Sequence, residues 1–227
     1  MNRREFIKQM LKASVGAAMF SMLPEQVSAT TLSEYKAGKR FNFEEIECQN
    51  FGIMKYDEDM IGTEIIGEEG IPIYETQFNF VKDLNRRKKT DAIVIHHVGN
   101  TNRNVNSAAI HRWHKQNGWA GIGYHYVIRK DGTIEQGRPL NMVGAHCYNQ
   151  NEHTVGICVV GNFELARPTN EQFRATERLV GAVCNIYGIN PNEKTVFGHR
   201  DYNDTNCPGI YLYQWLPDII RNAKKFS

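Results

Sequence analysis

Three short strand signals most limit the folds that this chain can adopt. Residues Ala92 to Ile95 in "TDAIVIHH" form a short, continuous apolar run, "TVGICVVGNF" predicts another buried strand, and "KTVFGH" predicts a further strand. Apolar runs of this length without polar alternation are typical of strands that are buried on both faces of a sheet. Between the first two segments, the sequence alternates on both sides of Asp131-Gly132, a strong turn pair that predicts a β-hairpin.

Helical segments separate the predicted strands. The stretch "VNSAAIHRWHKQNGW" has apolar residues at helical spacing and ends at Gly118. Thr169 and Gln172 form a capping-box signature for a second helix, which Gly188 ends. The segment "YQWLPDIIRNAKKF" predicts a C-terminal helix, with Pro217 near its first turn or at a kink. This order of elements predicts an α/β fold, a single domain with a mixed central β-sheet flanked by helices.

The clear strand and helix signals place the main domain at residues 89–227. A chain of 227 residues with 41% hydrophobic content is long enough for one well-filled domain plus an appendage. Residues 30–88 mix charges and turn formers without a clear period, and "GTEIIGEEGIPIYET" is typical of a loop that leads into a short extended piece. We therefore predict that residues 30–88 form an arm packed on the domain. All eight histidines follow residue 95, so any imidazole chemistry belongs to the domain.

The first 29 residues have the pattern of an export signal. They have a basic start, a weakly apolar middle from Met10 to Leu23 and a small-residue ending. The apolar run is too short to span a bilayer, so a cleaved signal is predicted, with no stable membrane insertion after its removal. The segment "NRREFIK" resembles the twin-arginine export motif. The alternative is an ordinary secretion signal with two chance arginines, and both interpretations predict a periplasmic or extracellular protein.

The charge balance argues against nucleic acid as a partner. Removal of residues 1–29 takes away four basic and two acidic residues, which leaves 23 of each in the mature chain. Binding to nucleic acid or to an anionic membrane surface needs a basic surface. A neutral chain gives no support to either class of partner.

The cysteines and histidines indicate a metal site without fixing it. The five cysteines contain no C-x-x-C pair, so an exported protein can pair four and keep one for a metal, and the pairing stays open; they are Cys48, Cys147, Cys158, Cys184 and Cys207. In "GHRDYNDTNCPG", His199 ends a predicted strand and Cys207 closes the following loop. The best third ligand is at the end of "AIVIHH", where His96 and His97 point to opposite faces, so only one reaches a given metal. A turn histidine and a buried thiol explain His199 and Cys207 equally well when these two are taken alone.

Five separated motifs resemble one family. The segments "AIVIHHVGN", "IHRWHKQNGWAGIGYHYVIRKDGTIEQGR", "VGAH", "TVGICVVGNF" and "GHRDYNDTNCPG" occur in the order and spacing of the zinc N-acetylmuramoyl-L-alanine amidases. That family includes phage amidase-lysozymes and animal peptidoglycan recognition proteins, and the similarity covers residues 90 to 224. It implies that His96, His199 and Cys207 bind one Zn2+ ion. His97 is then left for packing or for hydrogen bonds to the ligand residues.

The resemblance also implies roles for four further residues. Tyr124 matches a family tyrosine that faces the attacking water, and Thr205 occupies a position where some phage members have lysine and recognition-protein amidases have threonine. Both are expected to stabilise the oxyanion. His146 matches a pocket residue near the bound muramyl peptide and Asn151 falls near a family asparagine, so both are expected to bind substrate. A core tyrosine and a structural loop histidine are the alternatives for Tyr124 and His146.

The implied activity is peptidoglycan hydrolysis. The expected reaction cleaves the amide bond between N-acetylmuramic acid and L-alanine of the stem peptide, with peptidoglycan or a muropeptide as substrate. Two alternatives stay open: a non-catalytic peptidoglycan-binding module, and a zinc amidase that acts on another acylated peptide. Cytoplasmic muropeptide-recycling relatives place a catalytic carboxylate on the strand that corresponds to "ICVVG". Because this segment holds only apolar residues and Cys158, the resemblance implies the tyrosine-assisted phage type of mechanism.

Overall fold

The computed structural model describes residues 60–66 and 71–227. The predicted export signal and residues 30–59 of the predicted arm lie outside these residues, so the proposed domain boundaries stay predictions. Within the described part of the chain, none of the helices has both the length and the apolar character needed to cross a membrane.

The described residues contain seven strands that form one mixed sheet. The strands are β1 (Met60–Ile66), β2 (Ile71–Thr76), β3 (Ala92–His97), β4 (Tyr126–Ile128), β5 (Ile134–Gln136), β6 (Thr154–Val159) and β7 (Val196–Gly198). Their spatial order is β1-β2-β5-β4-β6-β3-β7. The β1–β2 and β4–β5 pairs are antiparallel, and all other neighbours are parallel. The predicted α/β class with a mixed sheet is confirmed.

Strands β1 and β2 differ from the loop predicted for this stretch. The two strands are antiparallel neighbours, with Ile66 paired to Ile71 at one end and Met60 paired to Thr76 at the other. Both halves of "GTEIIGEEGIPIYET" therefore contribute to the sheet. In β2 the side chains of Ile71 and Ile73 are buried, whereas those of Pro72 and Tyr74 are exposed. This alternation is typical of a strand with one face on the core, and it is short enough to be missed among the surrounding charges.

Helices begin and end where the capping signals predict. Helix α1 (Ser107–Gln116) begins after Asn106, whose side chain accepts a hydrogen bond from Ala109 N. Helix α2 (Asn170–Tyr187) has the full capping box of Thr169 and Gln172, and it ends at Gly188 in the left-handed conformation. A 3-10 turn (His199–Asp201) is followed by α3 (Ile210–Tyr213) and α4 (Leu216–Ala223), which has a proline in its first turn. The three helices predicted from the sequence correspond to α1, α2 and α4, and all three predictions are confirmed.

The sheet separates two apolar clusters. On one face, Ile93, Ile95 and Ile157 pack with residues of α2 and α4, such as Leu179 and Ile219. On the other face, a smaller cluster joins Ile110 of α1 to strand residues of the central sheet, and Tyr124 packs against it. Successive side chains of a strand point to opposite faces, so Ala92, Val94 and His96 lie on the α1 face. The candidate site is therefore on the α1 face, at the ends of β3 and β7.

Candidate metal centre

His96, His199 and Cys207 lie together at one end of the central strands. His96 is near the end of β3, and His199 directly follows β7, the parallel neighbour of β3. The ends of neighbouring parallel strands meet at one edge of the sheet, which explains why two residues about a hundred positions apart are adjacent. The loop after the 3-10 turn then returns Cys207 to the same edge. The structure thus brings together all three ligands predicted from the sequence.

The distances within this cluster suit a metal ion. One ligand atom from each of the three side chains lies within 4.8 Å of the others. Cys207 Sγ is 3.7 Å from His96 Nδ1. Around a tetrahedral zinc ion with ordinary bond lengths, a sulfur and a nitrogen ligand are about 3.6 Å apart. The ring centroids of His96 and His199 are 4.5 Å apart, so the donor set is compact enough for one ion.

Backbone groups hold the Cys207 side chain in place. The backbone N–H of His97 donates to Cys207 Sγ over 3.4 Å. Arg200 N donates to Cys207 O, and Cys207 N donates to Thr205 Oγ1. Burial raises the pKa of the Cys207 thiol to about 12. The thiol is therefore protonated at neutral pH unless a cation binds beside it, since metal ligation takes the thiolate form.

The histidines of the site are neutral imidazoles. Burial lowers the pKa of His96 well below its ordinary value, and the neighbouring rings of His146 and His199 lower it further. Burial also lowers the pKa of His199, although its hydrogen bond with Asn203 opposes this effect. Neutral imidazole is the form that binds metal. The electrostatics of the site therefore agree with its geometry.

His97 has a different environment from His96. Its Nδ1 accepts a hydrogen bond from Phe163 N over 3.2 Å, and its ring lies near the Phe163 ring in the α2-side cluster. A Cβ at Gly99 would lie 3.0 Å from His97 Nε2, so a close backbone approach covers the other nitrogen. The alternation along β3 that the sequence predicted separates the two histidines as expected, with His96 in the cluster and His97 in a packed position.

Asn203 is a residue of this site that sequence reasoning missed. Its Oδ1 lies 3.0 Å from His199 Nε2, so it accepts the N–H of that ring and leaves Nδ1 of His199 without a proton. Carbonyl and carboxylate groups commonly hold metal-binding histidines in this way. The available signal was the spacing of four residues between His199 and Asn203, but a turn sequence alone does not show that the side chains meet.

Tyr124 and Thr205 border the metal cluster. The Tyr124 ring centroid is 5.1 Å from that of His96, and the residue is half-buried. Burial raises the pKa of Tyr124 well above its ordinary value, and the nearby Cys158 and Cys207 thiols add to the shift. The Thr205 hydroxyl oxygen accepts the Cys207 N–H, which leaves its own proton available to donate. Both residues therefore present hydroxyl donors near the cluster.

His146 and Asn151, the predicted substrate contacts, bond to protein atoms. Asn151 Oδ1 accepts hydrogen bonds from the backbone N–H groups of His146 and Cys147, so it shapes the loop that carries His146. The His146 ring lies against His96, with 3.0 Å between His146 Nδ1 and His96 Nε2. A direct role of either residue in substrate binding stays a prediction.

The remaining cysteines do not join the cluster. Cys147, Cys158 and Cys184 are buried free thiols, as is Cys207, while Cys48 lies outside the described residues. Cys158 is opposite His96 in the register of β3 and β6. Strand β6 therefore places a buried thiol, and no carboxylate, beside His96.

Comparison with known proteins identifies the family of this chain. The sequence model of the N-acetylmuramoyl-L-alanine amidases designated Amidase_2 matches residues 85–210. The chain belongs to this amidase family. Its matched region contains every residue of the candidate metal centre and all four predicted catalytic or substrate-binding residues.

Individual relatives agree with this assignment. The chain is 31% identical to the endolysin of Enterobacteria phage K11 over 136 residues, which covers 59% of this chain and 89% of the endolysin. It is 32% identical over 124 residues to a human N-acetylmuramoyl-L-alanine amidase, covering 54% of this chain and 21% of the human protein. Among solved structures, the amidase LysC from Clostridium intestinale is 34% identical with a TM-score of 0.60, covering 66% of this chain and 97% of LysC. These similarities confirm the resemblance inferred from the sequence motifs.

Proposed function

We propose that this amidase-family protein is a zinc-dependent hydrolase that cleaves the amide bond between N-acetylmuramic acid and L-alanine of the stem peptide. The observation that carries the proposal is the compact cluster of His96, His199 and Cys207. Two neutral imidazoles and one thiolate are a donor set that zinc prefers, and three protein ligands leave a catalytic zinc ion one open position. When bound, zinc acts as a Lewis acid and lowers the pKa of a water molecule from ~15.7 towards ~7.

The chain's own hydroxyl groups support the reaction. The Tyr124 phenol is protonated at neutral pH, and burial raises its pKa further. It can therefore donate a hydrogen bond to the oxyanion that develops on the scissile carbonyl. The Thr205 hydroxyl donates from the loop that carries Cys207. Strand β6 supplies no carboxylate to act as a base, and this agrees with a mechanism that depends on the tyrosine.

Digestion of purified sacculi with the full chain tests this function directly. Mass spectrometry of the products is expected to show stem peptides with a free N-terminal L-alanine and glycan strands with an unsubstituted lactyl carboxylate. Peptidoglycan binding without release of amino termini would instead identify a binding module. Cleavage of only other acylated peptides would leave the zinc centre in place and change the substrate.

The two neighbouring histidines of β3 are expected to respond differently to substitution. His96→Ala removes a ligand, so the protein is expected to lose zinc and activity together. His97→Ala removes a packed ring on the opposite face, so zinc is expected to stay bound, with a lower melting temperature. Zinc content by atomic absorption and thermal unfolding of both variants measure these effects. Zinc loss in His97→Ala with retention in His96→Ala would reverse the assignment of the two strand faces.

Tyr124→Phe is expected to keep zinc and lose turnover. The substitution deletes one hydrogen-bond donor and leaves the three ligands intact, and loss of such a donor typically lowers the rate by about 100-fold. Zinc content and kcat are measured on the same preparation. Unchanged turnover would make Tyr124 a structural residue.

Thr205→Val is expected to give a smaller loss of turnover than Tyr124→Phe. Valine also removes the acceptor of the Cys207 N–H, so Thr205→Ser is the matched control that keeps the hydroxyl. Activity that recovers in the serine variant supports the hydroxyl as the functional group. A loss of activity in the serine variant with full activity in the valine variant would point to a packing role of the threonine methyl group.

Export by the twin-arginine route is a further part of the proposal, and it rests on "NRREFIK" in the sequence. Because this route carries folded proteins, the chain is proposed to fold and to bind zinc in the cytoplasm, before its thiols meet an oxidising compartment. Replacement of Arg3 and Arg4 by lysine is expected to leave folded, zinc-loaded precursor in the cytoplasm. Cell fractionation with a zinc assay measures this, and normal export of the double variant would contradict the proposal.

A further inference from the structure

The imidazole of His146 is enclosed behind the metal cluster in a slot made by two glycines. A Cβ at Gly156 would lie 2.5 Å from His146 Cδ2 and Cγ, and a Cβ at Gly144 would overlap with the same ring. Only backbone without a side chain can approach the ring so closely at these two positions. His146 is 7% exposed. The fold therefore holds this ring in one orientation rather than leaving it free at the surface.

Both ring nitrogens of His146 have partners within the protein. Nδ1 lies 3.0 Å from His96 Nε2, and Nε2 lies 3.5 Å from Thr154 Oγ1. The Thr154 hydroxyl donates its proton to Gln150 O over 2.6 Å. Its oxygen can therefore only accept from the His146 ring, which places the proton of His146 on Nε2.

The position of this proton determines the state of His96. A neutral imidazole carries one N–H, so His146 Nδ1 is an acceptor and His96 Nε2 is the donor. The lone pair of His96 is then on Nδ1, which is the atom 3.7 Å from Cys207 Sγ. The chain of hydrogen bonds from Gln150 O through Thr154 and His146 thus ends at the nitrogen that faces the cluster.

We propose that His146 is a positioning residue of the metal centre, which accepts the Nε2–H of His96 and thereby keeps the His96 Nδ1 lone pair directed at the metal position. This role rests on the proposed zinc centre, and it differs from the substrate contact expected for His146 from the sequence. Partners of this kind fix both the tautomer and the ring orientation of a ligand, and their loss typically weakens metal binding by 10–100-fold.

A matched pair of variants tests the hydrogen bond separately from the shape of the ring. His146→Asn keeps an acceptor oxygen near the place of Nδ1, whereas His146→Leu has nearly the same size and shape as asparagine without a polar atom. The full chain of each variant is titrated with zinc against a chelator of known affinity. His146→Leu is expected to bind zinc about 10–100-fold more weakly than wild type, and His146→Asn at least about tenfold more tightly than the leucine variant.

Three results would overturn this inference. Equal zinc affinity in all three proteins would show that His146 does not act on the metal. Equal losses in both variants would show that only ring packing matters. A rise in KM for muropeptides with unchanged zinc affinity would assign His146 to substrate binding. Each of these three results requires that wild type binds zinc, so each overturns this inference alone. If wild type bound no zinc, the proposed metal centre itself would fail, and the two failures are therefore distinguishable.

A measurement on the unmodified protein does not depend on how the two His146 variants fold. In zinc-free wild type, long-range 1H–15N correlation NMR reports which ring nitrogen of each histidine carries the proton, and comparison with His96→Ala identifies the His96 signals. The proposal expects His96 protonated at Nε2 and His146 also protonated at Nε2. A proton on His96 Nδ1 would contradict it.

Discussion

Cys207→Ser is expected to bind zinc more than about 100-fold more weakly than wild type, because it removes a ligand itself rather than a group behind a ligand. A hydroxyl is a far poorer partner for zinc than a thiolate. The 3.7 Å contact between Cys207 Sγ and His96 Nδ1 places the sulfur directly in the cluster. Activity is expected to fall in proportion to zinc occupancy, measured by atomic absorption and by release of amino termini from peptidoglycan.

Cys184→Ser is the matched control for this experiment. Cys184 is a buried free thiol on α2, outside the metal cluster. Cys184→Ser therefore replaces a buried thiol with a hydroxyl, as Cys207→Ser does, without removing a metal ligand. The control is expected to lose stability and keep zinc. Full zinc occupancy in Cys207→Ser, or equal zinc loss in both variants, would remove Cys207 from the proposed centre.

Arg87→Met is expected to cause a large loss of stability. The buried Arg87 guanidinium donates to the carbonyl oxygens of Leu140, Met142 and Thr154 and to the Tyr187 hydroxyl. Methionine fills part of the same space but removes these four hydrogen bonds from a charged donor, each of which contributes about 1.5–3 kcal/mol. Leu140 O and Met142 O keep a second partner. The free energy of unfolding is expected to fall by about 3 kcal/mol or more, which lowers the melting temperature by roughly 6–12 °C.

The neighbouring Arg86→Met variant is the control for Arg87. Arg86 is exposed, and the contact that it makes with Met142 is a backbone bridge that does not depend on its side chain. Its substitution is expected to change the melting temperature little. A similar loss in both variants would show that positive charge in this segment matters, rather than the hydrogen bonds of one guanidinium.

The Arg87 contacts also connect stability to the candidate site. Residues 140–154 include the loop that carries His146 and Asn151, and Arg87 bonds to carbonyls at both ends of it. Loss of Arg87 is therefore expected to weaken zinc binding as well as the fold, because it loosens the loop behind His96. This arginine lies inside the stretch that sequence analysis treated as an arm.

Features that depend on neighbouring residues were predictable from the sequence alone. The strand signals of β3, β6 and β7, the turn at Asp131-Gly132 and the capping box of α2 are local, and the structure has each element at the predicted place. The alternation along β3 separated His96 from His97 for the same reason, because the side-chain period of a strand is two. The resemblance of five motifs then named the three residues that the structure brings together.

The contacts between side chains that are far apart in the sequence were not predictable from local patterns. The bond between His96 and His146 spans 50 positions, and the four Arg87 hydrogen bonds to Leu140, Met142, Thr154 and Tyr187 span 53 to 100. Asn203 beside His199 and the β1–β2 pair at the sheet edge also gave no clear local pattern. Periodicity and capping report on a few successive residues, whereas these contacts depend on how strands are ordered in the sheet and how loops return to it. The backbone space left by Gly144 and Gly156 holds the His146 ring against His96, and no local sequence pattern contains that arrangement.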